Sequence, residues 1–277
     1  MHLVPFIKLD GERIFYEVFG SGRCVVLIHG AWASHKWWKN QIPVLSKRYK
    51  VIAVDLRGHG LSSELKKPIS IDEFSNDIKA ILEKEEVEEV ALIGWSMGGI
   101  ISMRYAIEND VKALVLIATR AHKNYRYDPV RDYIERFEEN LYKMMSSPYE
   151  LAKLADDNYR TKVLKEELKE VLSKNVPREL LDWMIEEIKK FPGDPLNVAL
   201  SVSGYELGDR IKEIKAPTLI IIGDEDKVID PSLSLRLKEI PNSEIVVLRG
   251  AGHYLILERA EEVNTHIISF LNRFYPP

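Results

Sequence analysis

One serine lies between two glycines in a setting that could make it a nucleophile. Residues 94–98 read Gly-Trp-Ser-Met-Gly, after an apolar run at 91–93 and before a segment, 97–106, that can begin a helix. In such a strand–turn–helix arrangement the glycines permit a strained turn, which presents the serine oxygen above the end of the strand. The helix N-terminus favours the negative charge that develops as the serine reacts. The pattern predicts Ser96 as a nucleophile.

The base that a weakly nucleophilic serine hydroxyl needs is best supplied by His253. This histidine lies in the glycine-rich segment 250–254, directly after the last apolar run. It therefore falls on the sheet edge where the strands end, which is also the edge predicted for Ser96. The other six histidines lack such a setting, and we predict structural or surface roles for them: His2, His29, His35, His59, His122 and His266.

A carboxylate must hold the histidine in the correct tautomer and stabilise its cation. Two candidates, Asp224 and Asp226, follow the apolar run 218–222 and so lie at the same edge. Their positions alone do not choose between them. A serine, a histidine and a carboxylate together predict acyl transfer through an acyl-serine. The chain has no metal-ligand spacing such as H-x-x-x-H, so we predict no metal and no cofactor.

The elements that must position these residues alternate between strands and helices. Continuous apolar runs of the kind buried on both faces of a sheet occur at 25–28, 51–54, 90–93, 113–117, 218–222 and 245–248. Asp10 and Gly11 predict a hairpin turn, and Ser70 with Glu73 predicts a capping box at the start of a helix through Leu82. A closing helix is predicted over 260–274. The pattern indicates an α/β fold with a mostly parallel central sheet and helices on both faces.

Residues 121–205 interrupt this alternation. The segment contains no strand-like run and is typical of amphipathic helices broken at prolines: Pro148, Pro177, Pro192 and Pro195. We interpret it as a helical cap inserted into a core made of residues 1–120 and 206–277. The apolar cap residues Met144, Trp183 and Met184 are candidates for lining a substrate pocket, although helix packing also explains such a stripe.

Composition and charge argue against several kinds of partner and location. The 277 residues carry a formal net charge of -4, which gives no electrostatic reason to expect nucleic acid. Cys24 is the one cysteine and lies beside an apolar run, so we expect a buried thiol and no disulfide within the chain. No signal peptide pattern or run of about 20 apolar residues is present. We expect a soluble cytoplasmic protein that is a monomer or a homodimer and binds a small molecule.

Five segments together resemble the α/β-hydrolase superfamily, in its branch of capped carboxylesterases and monoacylglycerol lipase-like proteins. They are residues 26–32, 55–62, 94–99, 217–226 and 250–258, in the family order Ser, Asp, His. The resemblance implies that Asp226, in a Gly-x-x-Asp arrangement, is the carboxylate, and that Asp224 is a turn residue. It also implies an oxyanion hole formed by the backbone N–H groups of Met97 and Ala31. Trp32 flanks this hole, with packing as its first expected role and pocket lining as its second.

The resemblance implies hydrolysis of carboxylic esters with short to medium acyl chains, and monoacylglycerols are among the candidate substrates. The tetrapeptide Ser-Met-Gly-Gly at 96–99 also resembles that of enol-lactonases and cofactor-free perhydrolases. Carbon–carbon bond hydrolases are similar in carrying the same triad. These three activities therefore stay open. The serine at position 96 argues against dehalogenases and epoxide hydrolases, which resemble this fold but carry an aspartate there. A receptor-like binding protein is a different class of alternative, which the presence of all three triad residues disfavours.

Overall fold

Eight strands of the described residues form one sheet. The computed structural model describes residues 6–122, 157–173, 176–193, 195–202 and 205–277. The strands are β1 (Phe6–Leu9), β2 (Glu12–Phe19), β3 (Cys24–Ile28), β4 (Lys50–Val54), β5 (Val90–Trp95), β6 (Ala113–Ile117), β7 (Thr218–Gly223) and β8 (Ser243–Leu248). Their spatial order is β1-β2-β4-β3-β5-β6-β7-β8.

The sheet is mostly parallel, as the apolar runs predicted. Strands β3 to β8 pair in parallel, whereas β1 pairs with β2 and β2 with β4 in antiparallel fashion. All six predicted runs lie in strands. The predicted hairpin turn is confirmed at Asp10 and Gly11, whose φ angles of 52° and 83° are both positive, as a type I′ turn requires.

Helices cover both faces of this sheet. The helices of the described residues are α1 (Ile42–Leu45), α2 (Ile71–Lys84), α3 (Met97–Glu108), α4 (Asp157–Val171), α5 (Arg178–Lys189), α6 (Pro195–Val202), α7 (Pro231–Leu235), α8 (Leu255–Glu258) and α9 (Ala260–Phe274). Ser70 and Glu73 form the predicted capping box at the start of α2, which runs two residues beyond the predicted end at Leu82. Helix α9 has the predicted bounds.

Alternate residues of the buried strands enter two separate cores. Val26 and Ile28 of β3 face a core that includes residues of α2 and α3, whereas Val25 and Leu27 face one that includes residues of α9. The two-residue period of a strand sends successive side chains to opposite faces. A strand buried on both faces must therefore be apolar at every position, and Cys24, also of β3, is buried as expected.

Helices α4, α5 and α6 lie between β6 and β7 in the chain, where the alternation of strands and helices stops. The described part of this insertion is fastened to the rest of the protein by hydrogen bonds. Ser173 N–H donates to Glu258 Oε2 (2.8 Å), and Asn197 Nδ2 donates to the Leu65 carbonyl oxygen (2.8 Å). The cap bounds 121–205 stay a prediction. Throughout the described ranges, each helix is too short or too polar to cross a membrane.

Candidate active site

The turn between β5 and α3 holds Ser96 in a strained backbone conformation. Its φ of 54° and ψ of -120° lie in a region that residues with a Cβ rarely occupy. The two glycines of the pentapeptide make the turn possible. A Cβ on Gly94 would collide with Ser102 Oγ, and a Cβ on Gly98 would collide with the Ile28 carbonyl oxygen. The glycine spacing seen in the sequence thus has a steric cause.

Hydrogen bonds to neighbouring elements hold this strained turn in place. Ser96 N–H donates to the carbonyl oxygen of Ile117, the last residue of β6, over 2.9 Å. The Ser96 carbonyl oxygen accepts from Thr119 Oγ1 (2.7 Å) and from the N–H of Gly99 (2.9 Å). A strained residue persists only where its surroundings determine its conformation in this way. The side chain of Ser96 is left to point away from these anchors and to meet His253.

His253 lies between Ser96 and Asp226 and hydrogen-bonds to both. Its Nε2 is 3.0 Å from Ser96 Oγ, and its Nδ1 is 2.8 Å from Asp226 Oδ2. The histidine is 3% exposed and the aspartate 7%. A carboxylate oxygen accepts a hydrogen bond, so Nδ1 carries the proton and Nε2 presents its lone pair to the serine hydroxyl. This arrangement can remove the serine proton.

The two aspartates after β7 have different surroundings. Asp226 Oδ1 accepts from the N–H groups of Val228 and Ile229, each over 2.8 Å, which leaves Oδ2 for His253. Asp224 is exposed, and its Oδ1 accepts from Gly250 N–H over 2.7 Å. Asp224 therefore ties its own turn to the loop after β8, whereas Asp226 contacts the histidine ring.

Two backbone N–H groups lie close to Ser96 in the chain or in space. Met97 is the first residue of α3, so its N–H has no partner within the helix. Ala31 follows Gly30, where a Cβ would come 3.0 Å from Ser96 Cβ. Within the described ranges neither N–H donates a hydrogen bond to the protein. A role for both groups in binding an oxygen atom next to the serine stays a prediction.

Comparison with known proteins places the chain in a family. The family model described as alpha/beta hydrolase fold matches residues 23–260. The chain belongs to the α/β-hydrolase fold family. AB hydrolase superfamily protein YisY of Bacillus subtilis is 30% identical over 283 residues, covering 96% of this chain and 98% of that protein.

Two further proteins similar to this α/β-hydrolase carry names that describe reactions. A 2-hydroxy-6-oxononadienedioate/2-hydroxy-6-oxononatrienedioate hydrolase of Cupriavidus pinatubonensis is 28% identical, over 95% of this chain and 92% of that protein. The structure of an esterase from Exiguobacterium antarcticum superposes with a TM-score of 0.80 at 24% identity, covering 96% of this chain and 98% of that chain. At this identity the superposition shows the fold alone.

Three of the four residues predicted to line the pocket of this α/β-hydrolase lie in the described structure. Trp32 is half-buried beside Ala31 and has a positive φ of 58°. The ring of Trp183 of α5 lies 5.7 Å from the Trp37 ring, and Lys39 Nζ lies 3.7 Å from its centroid. Met184 is fully buried in the core that includes α9 residues. Met144 lies outside the described residues. Pocket lining stays a prediction for all four.

Two histidines near the site are buried as neutral rings. His29 Nδ1 donates to the Gly30 carbonyl oxygen (2.7 Å), and its Nε2 accepts from Leu56 N–H (3.1 Å). Burial lowers the pKa of His29 to about 4 and that of His59 to about 3. The two rings lie 5.0 Å apart. A structural role for both stays a prediction.

Sequence reasoning missed one paired histidine. His35 is buried and its Nδ1 lies 2.8 Å from Asp55 Oδ1, which also accepts from His35 N–H over 2.6 Å. Burial alone would raise the pKa of Asp55, but the hydrogen bonds and charge of His35 hold it below its ordinary value. Asp55 Oδ2 accepts from Leu61 N–H (2.8 Å). The pair fastens two loops at the strand ends.

His122 and His266 are the remaining histidines of the described residues. His122 is buried 3.8 Å from Glu239, His266 is half-buried on α9, and His2 lies outside the described residues. In the described parts of the chain, no three His, Cys, Asp or Glu side chains form a cluster that could hold a metal ion.

Proposed function

We propose that this α/β-hydrolase cleaves carboxylic esters of short to medium acyl chains, monoacylglycerols among them, through an acyl-enzyme on Ser96. One observation carries the proposal. The side chains of Ser96, His253 and Asp226 are joined by hydrogen bonds of 3.0 and 2.8 Å, in the orientation that gives the serine a base. Such an arrangement activates an oxygen nucleophile at neutral pH.

In acylation, Ser96 Oγ attacks the ester carbonyl carbon while His253 Nε2 accepts the hydroxyl proton. The carbonyl oxygen becomes an oxyanion, and the N–H groups of Ala31 and Met97 stabilise it. Each such donor is worth about 3–4 kcal/mol in the transition state. The tetrahedral intermediate then collapses, the bond to the alcohol oxygen breaks, and His253 returns the proton to that oxygen.

Deacylation repeats the sequence with water as the nucleophile. His253 accepts a proton from water, whose oxygen attacks the acyl carbon of the Ser96 ester. The bond to Ser96 Oγ breaks, the proton passes from His253 to that oxygen, and the carboxylic acid leaves. Asp226 stabilises the imidazolium in both steps, because its Oδ2 accepts from Nδ1–H. The cycle needs no cofactor.

The acyl preference follows from the apolar character of the insertion. We assign residues 121–205 as a cap whose helices supply the pocket wall, with Trp32 as the contribution of the core beside Ala31. An apolar wall favours an apolar acyl or aryl group. Trp183 and Met184 of α5 pack on the core, which is the helix packing that also explains such an apolar stripe.

The same triad supports other acyl chemistry, and one relative favours a second candidate. The Cupriavidus protein is named for hydrolysis of 2-hydroxy-6-oxo-dienedioates, a carbon–carbon cleavage, and its similarity extends over 95% of this chain. Lactonase and perhydrolase activities would use the same Ser96 acyl-enzyme. A receptor-like protein would bind such compounds without turning them over.

Hydrolysis of a p-nitrophenyl ester series, from acetate to long acyl chains, tests the proposal. Wild type is compared with Ser96→Ala and with Ser102→Ala as the matched control. Ser102 lies on α3 close to the elbow, and its Oγ donates to the Gly98 carbonyl oxygen (2.7 Å). We expect turnover to fall by about 10⁶-fold in Ser96→Ala and to persist in Ser102→Ala.

The chain-length optimum of the wild type would measure the size of the pocket. Turnover that Ser96→Ala retains would overturn the assignment of the nucleophile. A folded wild type that cleaves no ester, but cleaves a 2-hydroxy-6-oxo-dienedioate or a lactone in a Ser96-dependent way, would replace the ester assignment and keep the mechanism. Binding of these compounds without turnover would support the receptor-like alternative.

A further inference from the structure

The indole of Trp95 hydrogen-bonds to the backbone of His253. Trp95 Nε1–H donates to the His253 carbonyl oxygen over 3.0 Å, and the two residues are 2% and 3% exposed. Across the described residues, the indole is the single donor to this carbonyl. A buried carbonyl that lost its donor would be left unsatisfied, which makes this contact costly to remove.

This contact joins the same two chain segments as the serine–histidine contact does. Trp95 ends β5 and Ser96 follows it directly, so adjacent residues bind the two ends of His253. Ser96 Oγ meets ring atom Nε2, and the Trp95 indole meets the backbone carbonyl. The two contacts and the peptide bond between Trp95 and Ser96 form a small closed ring with His253. The distance between nucleophile and base is therefore fixed locally, rather than through the length of the sheet.

The loop that carries His253 has need of such an anchor. Gly250 has a φ of 66°, and Gly252 adds a second residue without a side chain just before the histidine. Glycine leaves a chain more conformational freedom than any other residue. Among the described residues, the last backbone hydrogen bond before His253 is at Ala251, whose carbonyl oxygen accepts from Glu225 N–H over 3.0 Å. The indole supplies the next anchor, at His253 itself.

Aromatic rings hold the indole in the orientation that this hydrogen bond needs. Trp37 stacks on Trp95 with centroids 5.6 Å apart and an interplanar angle of 19°. Tyr254 lies 5.6 Å from the same ring, and the His253 ring lies 5.5 Å away. A side chain packed on several sides loses its rotamer freedom at folding rather than at each catalytic step. The donor is thus already in position before substrate arrives.

We propose that Trp95 is a positioning residue: its indole N–H fixes the backbone of His253, so that Nε2 stays within reach of Ser96 Oγ. This inference rests on the proposed acyl-enzyme function. Trp95 acts through His253 and takes no part in bond making. Loss of the donor removes none of the three triad residues, but it lets His253 leave its productive position.

Two replacements separate the hydrogen bond from the packing. Trp95→Phe keeps an aromatic ring and removes the N–H, and site-specific incorporation of benzothienylalanine at position 95 keeps the indole shape with sulfur in place of N–H. Trp38 is the matched control. It is fully buried, and in the described structure its Nε1 has no hydrogen-bond partner. The same two replacements at position 38 remove a comparable side chain without removing a hydrogen bond.

We expect both Trp95 variants to lose about tenfold in kcat on the preferred p-nitrophenyl ester, with KM within about twofold of wild type. Labelling of Ser96 by a fluorophosphonate should slow by a similar factor, since it also depends on the base. The Trp38 variants should keep kcat. Thermal melting of all four variants reports the loss of packing, and the benzothienylalanine proteins keep the test valid if a Phe variant fails to fold.

The outcomes distinguish this inference from the function on which it rests. If the folded protein with benzothienylalanine at position 95 kept the full turnover of the wild type, the positioning role alone would be overturned. Equal losses of kcat at positions 95 and 38 would also overturn it, because packing would then account for the effect. A wild type that neither hydrolyses any ester nor reacts with fluorophosphonate would overturn the proposed function, and the role of Trp95 with it.

Discussion

Exchange of Asp226 for asparagine tests the site most sharply, because the structure fixes which way the new amide must face. Asp226 Oδ1 accepts from the N–H groups of Val228 and Ile229 over 2.8 Å each. An amide nitrogen is a donor and cannot occupy that position. In Asp226→Asn the amide oxygen therefore stays on the two N–H groups, and the NH₂ group faces His253 Nδ1.

That orientation reverses the tautomer of the histidine. Facing a donor, Nδ1 must become the acceptor, so the ring proton moves to Nε2. Nε2 then has no lone pair for the Ser96 hydroxyl, and the variant loses its base. The wrong tautomer costs about 10⁴-fold in kcat in other serine triads, which corresponds to about 5 kcal/mol. We expect a loss of this size in Asp226→Asn.

Asp224→Asn is the matched control two residues away. Asp224 is exposed, and an asparagine carbonyl can still accept from Gly250 N–H. We expect its kcat to stay within about twofold of wild type, as for other surface exchanges. The assay is kcat on the best p-nitrophenyl ester. Unfolding in urea serves as the control for stability. We expect both variants to stay stable, because the N–H groups of Val228 and Ile229 keep an acceptor in Asp226→Asn.

Two results would refute this reasoning. A larger loss in Asp224→Asn than in Asp226→Asn would reassign the carboxylate. A kcat near the wild-type value in Asp226→Asn, in a folded protein, would show that His253 keeps its productive tautomer without a carboxylate. Either result would contradict the role read from the 2.8 Å contact between Asp226 Oδ2 and His253 Nδ1.

Three further predictions concern stability. The folded-state pKa values of His29 (about 4) and His59 (about 3) lie below the unfolded value near 6.5. Between these pH values the unfolded state binds more protons than the folded state does. The contribution of the neutral rings to stability is therefore full above about pH 6.5 and is lost as the pH falls below it. Urea unfolding at about pH 5 should show a loss of about 2 kcal/mol per histidine, and a flat profile would contradict their burial as neutral rings. Ser70→Ala removes the cap of α2 and should cost about 1 kcal/mol in the same assay; an unchanged midpoint would count against the capping box. Gly98→Ala drives a Cβ into the Ile28 carbonyl oxygen and should cost more than about 3 kcal/mol, whereas a wild-type melting temperature would show that the elbow can relax.

The strands and the capped helix could be predicted because their signals are local. A strand buried on both faces must be apolar throughout, so β3 and β6 are visible as runs in the sequence. The α2 capping box needs two residues three positions apart. Ser96 and His253 could be singled out because glycine marks the sharp turns that carry them.

Other features depend on contacts between distant segments. The choice of Asp226 over Asp224 rested on family resemblance, since both follow the same strand; in the structure it is the N–H groups of Val228 and Ile229 that orient Asp226. The pairing of His35 with Asp55 joins loops after two strands, and the Trp95 contact with His253 spans 158 positions. Nothing in the local spacing of these residues marks such contacts.

The insertion leaves the sheet at the edge that carries the proposed nucleophile, which explains how one core can serve several reactions. Trp95 at the end of β5 pairs with Ile117 at the end of β6, and the insertion follows directly after β6. Its far end returns to the same point, where Leu207 N–H donates to the Ala121 carbonyl oxygen over 2.9 Å. Both ends of the insertion thus meet a few residues after Ile117 and Thr119, which hydrogen-bond to Ser96. Changes in the inserted helices should therefore alter which acyl group reaches the serine, and with it KM, while the residues at the strand ends set the chemical step.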